Sequence, residues 1–271
     1  MSKGITSTEG LIRKVFSITC AANEVLFYRG HSNKDKYKLE PSLYRSDSLL
    51  KSENLMFNEL IAANPSDFSD DSSTFEKLVR MQHYSLPTRL LDITSNPLMA
   101  LYFACKSNLD KIGEVIVFKI MDSYIKFFDS DTASCLSNLA RLPQSDKDAI
   151  DLTLDIVSFN ESPPIARLLH FIKEEKPFFL NKIVPDDLGK VICVKSKMSN
   201  SRIISQSGSF LVFGLKATLQ HPNGITIEQI HIKPSEKQKI LKELDSLNIN
   251  EQTVFPYIES SAKYISKKYG G

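Results

Sequence analysis

The chain has 271 residues, 42% of them hydrophobic and 24% charged, with 34 Lys+Arg against 32 Asp+Glu and a formal net charge of +2 at pH 7. That much apolar material excludes a chain disordered along its bulk and suffices for one large domain or two small ones; the near-neutral balance argues against a protein that coats nucleic acid. The charge is unevenly placed: residues 1–50 carry +3, 51–170 carry −6 and 171–271 carry +5. The basic ends can form one face for a phosphate-bearing ligand or simply a solvated lysine surface.

In chain order, Leu11, Ile12, Val15, Phe16 and Cys20 recur near helical spacing, with Ser7 and Thr8 as possible caps. VLFYRG (25–30) reads as a short strand ending in a glycine turn. Ser52 can cap a helix through Leu55, Leu60 and Ile61, which Asn64-Pro65 stops before a polar loop at 66–73. Thr74 caps TFEKLVRMQHYS, which buries Leu78, Val79 and Met81. RLLDIT (89–94) is a short strand or turn, and Asn96-Pro97 opens a helix with proline in its first turn. EVIVFKI (114–120) is a buried strand. The stretch 121–165 mixes helix and loop without a clear period. KVICVKS (190–196), GSFLVFGL (208–215) and ITIEQIHI (225–232) carry strand signals, and a helix from Ser235 through Leu247 follows, ended by Asn248. This order lacks the steady βαβ rhythm of a doubly wound sheet, neither G-x-G-x-x-G nor G-x-x-x-x-G-K-[ST] occurs, and no break in composition marks a second domain. Residues 1–271 read as a single α+β domain.

No apolar run approaches the roughly 20 residues that span a bilayer, and Cys20, Cys105, Cys135 and Cys193 are widely spaced with no C-x-x-C pair. The expectation is a cytoplasmic protein with reduced thiols and no membrane contact. His170, His221 and His231 are scattered without ligand spacing, so no metal centre is expected and a metal-dependent nuclease is disfavoured.

Three clusters carry chemistry. Tyr28, Arg29, Gly30 and His31 lie at a strand end, where an arginine beside a glycine suits a phosphate or carboxylate clamp, or equally a pair with a local carboxylate. Gln82, His83, Thr88, Arg89, Asp92, Thr94, Ser95 and Asn96 interleave polar groups with Leu86, Leu90, Leu91 and Ile93, the pattern of a partly buried polar network. Arg89 and Asp92 either brace a binding wall or form an internal ion pair; His83 is a structural hydrogen-bonding group, a base or a nucleobase contact. In Arg202–Phe210, Gln206 can hold a ribose-like hydroxyl pair, and Gly208 allows close backbone approach or makes a bulge.

FYRGHSN, LEPSLYR, MQHYSLPTRLLDITSNPLMALYFA and RIISQSGSF, with the C-terminal IHIKPSEKQKILKELDSLNINEQTVFPYIESSAKYI, together resemble the FRG domain, a bacterial and phage-associated family named for its Phe/Tyr-Arg-Gly motif. The resemblance runs from about residue 20 to 265, and Ser85 stands where the family has glycine. The motif order in turn resembles ADP-ribosyltransferases of the arginine–serine–glutamate type. That likeness implies a split β-sheet with flanking helices and NAD, or a related nucleotide, as substrate. Arg29 would hold the phosphates or the nicotinamide ribose. Thr94-Ser95, followed by Ala100 and Phe103, is similar to the segment that shapes the nicotinamide pocket, and Gln206 would hold ribose hydroxyls. The catalytic set so implied is Arg29, Thr94 and Gln206; Tyr28, Gly30, His31, Gln82, His83, Thr88, Arg89, Asp92, Ser95, Asn96 and Gly208 would bind substrate. One departure stands out: Gly208 occupies the place of the family's essential glutamate, leaving Asp92, Glu53 and Glu228 as alternative carboxylates. The implied activity is transfer of ADP-ribose to a protein or nucleic acid, or hydrolysis of NAD, in a toxin or antiphage role. The alternative is a non-catalytic module that senses a nucleotide or grips a partner protein.

Overall fold

All six segments with strand signals form strands in the computed structural model, which describes residues 4–197, 201–219 and 224–269. They are β1 (Glu24–His31), β2 (Leu90–Thr94), β3 (Gly113–Met121), β5 (Val191–Lys195), β6 (Gly208–Phe213) and β7 (Ile225–Ile232), with the short β4 (Ile125–Phe127) added from the stretch that lacked a clear period. They make one seven-stranded sheet in the order β4-β5-β6-β2-β1-β3-β7, antiparallel throughout except for the parallel β4–β5 pair. The architecture is α+β, with helices flanking a mixed sheet.

The helix boundaries follow cap chemistry. Ser7 caps Thr8–Phe16 as expected, its hydroxyl accepting from Gly10 N. Ser73, not Thr74, caps Thr74–His83, because Glu76 three residues on completes a capping box with it. Glu53–Ala63 starts after Ser52 with no side-chain cap. Part of the expected 66–73 loop is instead a 3-10 turn, Pro65–Phe68, which buries Phe68. Before the Lys237–Ser246 helix another such turn, Pro234–Glu236, puts Glu236 rather than Ser235 at the N-cap position. The segment with the weakest pattern folds largely into helices, among them Asp131–Asn138 and Ile156–Glu161.

The sheet is nearly divided. β1 pairs with β3 over eight positions and β2 with β6 over five, but β1 and β2 share only Tyr28↔Thr94. Two ribbons, β4-β5-β6-β2 and β1-β3-β7, therefore part around that single pair. Each ribbon has its own helical cover. Phe57, Leu78, Leu136, Leu168 and Val212 pack the first; Leu11, Ala100, Val117 and Ile240 pack the second. Phe27, Ile93, Phe118 and Leu211 fill a third cluster.

Gly30 holds the second ribbon's cover in place. A Cβ there would lie 1.9 Å from Ala100 O and 2.7 Å from Ala104 N, so the glycine admits the close approach of the Pro97–Cys105 helix, and it also lines the cavity described below. Gly30→Ala is expected to lower unfolding free energy by about 1–3 kcal/mol in urea titrations. Unchanged stability in the variant would contradict this packing role.

Candidate functional site

Where β1 and β2 part, Arg29 fills the gap. Its Nη1 donates to the Asp92 carbonyl at 2.6 Å, and its Nε donates to His31 Nε2 at 3.1 Å. A ring nitrogen that accepts from a guanidinium carries no proton, so the His31 proton sits on Nδ1 and is donated to Glu114 Oε1 at 3.0 Å. His31 is thus a neutral imidazole. Burial pushes its pKa down, the Glu114 hydrogen bond opposes that, and the Arg29 charge pushes down again. At 3% exposed, His31 is outside the cavity and orients Arg29 from behind, where sequence had placed it on the ligand. Arg29 itself, 20% exposed in its side chain, has two of its five N–H groups bonded to protein among the described residues.

The gap opens into a cavity of about 140 Å³. Arg29, Asp92, Thr94, Gln206 and His83 line it, with Arg202 and the apolar surfaces of Tyr28, Met99, Phe103, Ile203 and Phe210. Gln206 comes from a short helix, Ser201–Gln206, and not from the extended lead-in its sequence suggested. Thr94 Oγ1 donates to Gln206 O at 2.6 Å and accepts from Asn96 N, which ties the end of β2 to that helix and leaves the hydroxyl spent on the fold. Gln206 Nε2 donates to Val254 O, while its Oε1 has no protein partner among the described residues.

Asp92 is the carboxylate of the site. Gln82 Nε2 donates to its Oδ2 at 2.6 Å, and Thr88 Oγ1 donates to Gln82 Oε1 at 2.6 Å. Gln82 and Thr88 therefore stand behind the wall and orient Asp92, whose Oδ2 is also 4.0 Å from Arg29 Nη1. The other candidate carboxylates lie elsewhere: Glu53 is sealed under Arg89, and Glu228 pairs with Lys119. Gly208 lies opposite Thr94 in register and lines the cavity. A Cβ there meets only Ile203, at 3.7 Å, so a side chain would fit where the resemblance places glutamate.

Three expectations are corrected. Arg89 and Asp92 neither pair nor share a wall. Three positions apart on an extended chain, their side chains leave opposite faces, and Arg89 is 1% exposed with its Nε and Nη2 on Glu53. Ser95 is exposed, and its backbone N donates to Ser207 O; Asn96 caps the Pro97–Cys105 helix through Leu98 N. Neither lines the cavity. The left-handed backbone before β6 belongs to Ser207, at φ +48. Ser85, where the resemblance places glycine, is also left-handed, at φ +64, a backbone that glycine adopts without strain. Glu114 was missed, although a lone acidic residue opening the apolar run EVIVFKI was its signal. Among the described residues no three His, Cys, Asp or Glu side chains converge to hold a metal ion, and no helix is long and apolar enough to cross a membrane. His221 lies outside the described residues.

Burial, followed by the Arg202 charge, pushes His83 down to about 4 against the pull of Asp92. It is neutral at pH 7 and a weaker base than a free imidazole. With the folded value below the unfolded 6.5, the unfolded chain binds the proton first, so stability falls as pH drops from 6.5 towards 4. Buried His31 acts in the same direction. His83→Asn is expected to flatten the fall in Tm between about pH 7 and about pH 5; an unchanged slope would contradict the assignment.

No curated protein and no solved structure matches the chain. The FRG domain model matches residues 24–112, a shorter span than the quoted motifs suggest and one that leaves RIISQSGSF and the C-terminal stretch outside it. That segment, which is similar to the FRG domain, runs from β1 through β2 and the Pro97–Cys105 helix and contains Arg29, Asp92 and Thr94.

Proposed function

We propose that the cavity takes the reactive end of NAD or a related nucleotide and that the protein cleaves its N-glycosidic bond, passing ADP-ribose to a protein, a nucleic acid or water. The observation that carries this reading is the convergence of Arg29, Asp92 and Gln206, from three distant segments, on one hollow. Its volume suits a single ring, so the remainder of a dinucleotide would extend outwards past Arg29 and Arg202. Arg29 would offer its unspent N–H groups to a phosphate oxygen. Tyr28, Met99, Phe103 and Phe210 would enclose the nicotinamide, and Gln206 Oε1 would accept from a carboxamide or ribose hydroxyl.

In the reaction, the bond between the ribose C1′ and the ring nitrogen breaks and nicotinamide leaves with the electron pair. Positive charge then develops at C1′. Asp92, held by Gln82 and next to Arg29, supplies the negative field for that charge, a role the missing carboxylate at Gly208 cannot fill. The acceptor oxygen or nitrogen bonds to C1′ as its proton passes to Asp92. Thr94 shapes the wall without touching reacting atoms. The split sheet agrees with an ADP-ribosyltransferase-like cleft, and a toxin or antiphage role in the cytoplasm follows from family analogy alone.

Gly208 favours a second reading, a non-catalytic module that senses a nucleotide. Nicotinamide release from NAD by purified protein, with candidate acceptors present, separates the two. We expect release that Arg29→Ala abolishes. Asp92→Asn should keep NAD binding in calorimetry while slowing release about a hundredfold. Binding without turnover in the wild-type protein assigns the module, and turnover undiminished in Asp92→Asn overturns the role of that carboxylate.

A further inference from the structure

Two residues from the quoted motifs that the first cavity does not use, Tyr44 of LEPSLYR and Arg89 of TRLLD, line a second cavity of about 510 Å³. Arg89 and Lys147 line it and both pair with Glu53, which does not; the side chains of Glu53, Arg89 and Lys147 are 3%, 1% and 4% exposed. Arg89 Nε donates to Glu53 Oε1 at 2.8 Å; Arg89 Nη2 and Lys147 Nζ both reach Glu53 Oε2 at 2.5 Å. Arg89 Nη1 donates to Phe213 O. Two cations thus share one carboxylate, and the buried cluster carries an excess of one positive charge. Such an excess is costly away from water unless an anion balances it.

The cluster has capacity to spare. Lys147 Nζ has three donors and makes one bond, to Glu53, among the described residues. Gln144 Oε1, also on the lining residues, is a buried acceptor without a partner. Leu50, Ile150, Leu152 and Leu215 supply apolar wall. At the exposed rim the lining also carries Lys216, Asp148 and Asp151; Asp148 accepts from Gln144 Nε2 and Asp151 from Thr153 N and Oγ1, and both keep their charge, screened by solvent. Burial, opposed by Glu53 and Asp148 and assisted by Arg89, pushes the Lys147 pKa down.

We propose that this cavity is a second binding site, for a small organic acid whose carboxylate meets Lys147 and whose apolar body lies against Leu50, Ile150, Leu152 and Leu215. An N–H or O–H on the same molecule would satisfy Gln144 Oε1. The site stands apart from the Arg29 cavity and is independent of what that cavity binds.

Calorimetry and thermal shift with octanoate and phenylacetate, each against its uncharged alcohol, test the proposal. The acids are expected to bind and raise Tm, and the alcohols to do so at least about tenfold more weakly, as loss of a charged hydrogen bond implies. Lys147→Met leaves a neutral Glu53–Arg89 pair, so it should fold with unchanged or higher Tm and lose the acid's advantage. Thr218→Trp, at an exposed lining position, should block binding with the cations intact and decides the matter if Lys147→Met does not fold. Arg29→Ala should leave acid binding unchanged. Failure of both acids to bind the wild-type protein, equal binding of acid and alcohol, or full binding by Lys147→Met or Thr218→Trp would overturn the site. None of these outcomes bears on nicotinamide release.

Discussion

The structure turns on one side chain that takes the place of a strand pair. Beyond Tyr28↔Thr94, a continuous antiparallel ladder would carry a backbone N–H to the next carbonyls of β2. The Arg29 guanidinium instead supplies the donor to the Asp92 carbonyl. The separating edge therefore keeps that polar group satisfied, which buried backbone demands, while the strands spread far enough to admit a ligand. The same substitution places the cation in the hollow it helps to open. Fold and site are one feature.

Both sides of the gap are fixed from behind. Glu114 and His31 hold the guanidinium from the β1–β3 side, and Thr88 and Gln82 hold the Asp92 carboxylate from the β2 side. The imidazole between Glu114 and Arg29 must stay neutral to accept from the guanidinium, and burial keeps it so. Arg89, only three residues before Asp92, shows the opposite use of an arginine. Strand alternation turns it away from the gap into a carboxylate shared with Lys147, where it braces the fold and adds to the charge of a second cavity.

Much of this was legible in the chain. Short apolar runs marked five strands and left RLLDIT as a strand or a turn, and Asn96-Pro97 marked a helix start, because those signals are local. The motif segments around Arg29, Asp92 and Gln206 were recognisable as polar groups set in apolar surroundings, and they do converge. What could not be read was pairing across the fold. Glu53 lies 36 positions before Arg89 and Lys147 lies 58 after it, and no spacing rule links them. Glu114 meets His31 only because β1 and β3 pair in that register. Gly30 and Gly208 looked alike as glycines near a ligand, yet helix backbone crowds the first, while a Cβ at the second would make only ordinary contact with Ile203. A glycine's neighbours, unlike its backbone freedom, are set by tertiary packing.

Any function of the first cavity depends on Arg29 pointing at an anion in the hollow between β1 and β2. Crystals of the protein soaked with ADP-ribose test that most directly. The expected result is a phosphate or ribose oxygen within about 3 Å of the Arg29 guanidinium, on the side away from His31. An ordered ligand seated elsewhere, with Arg29 bonded only to Asp92 and His31, would contradict it.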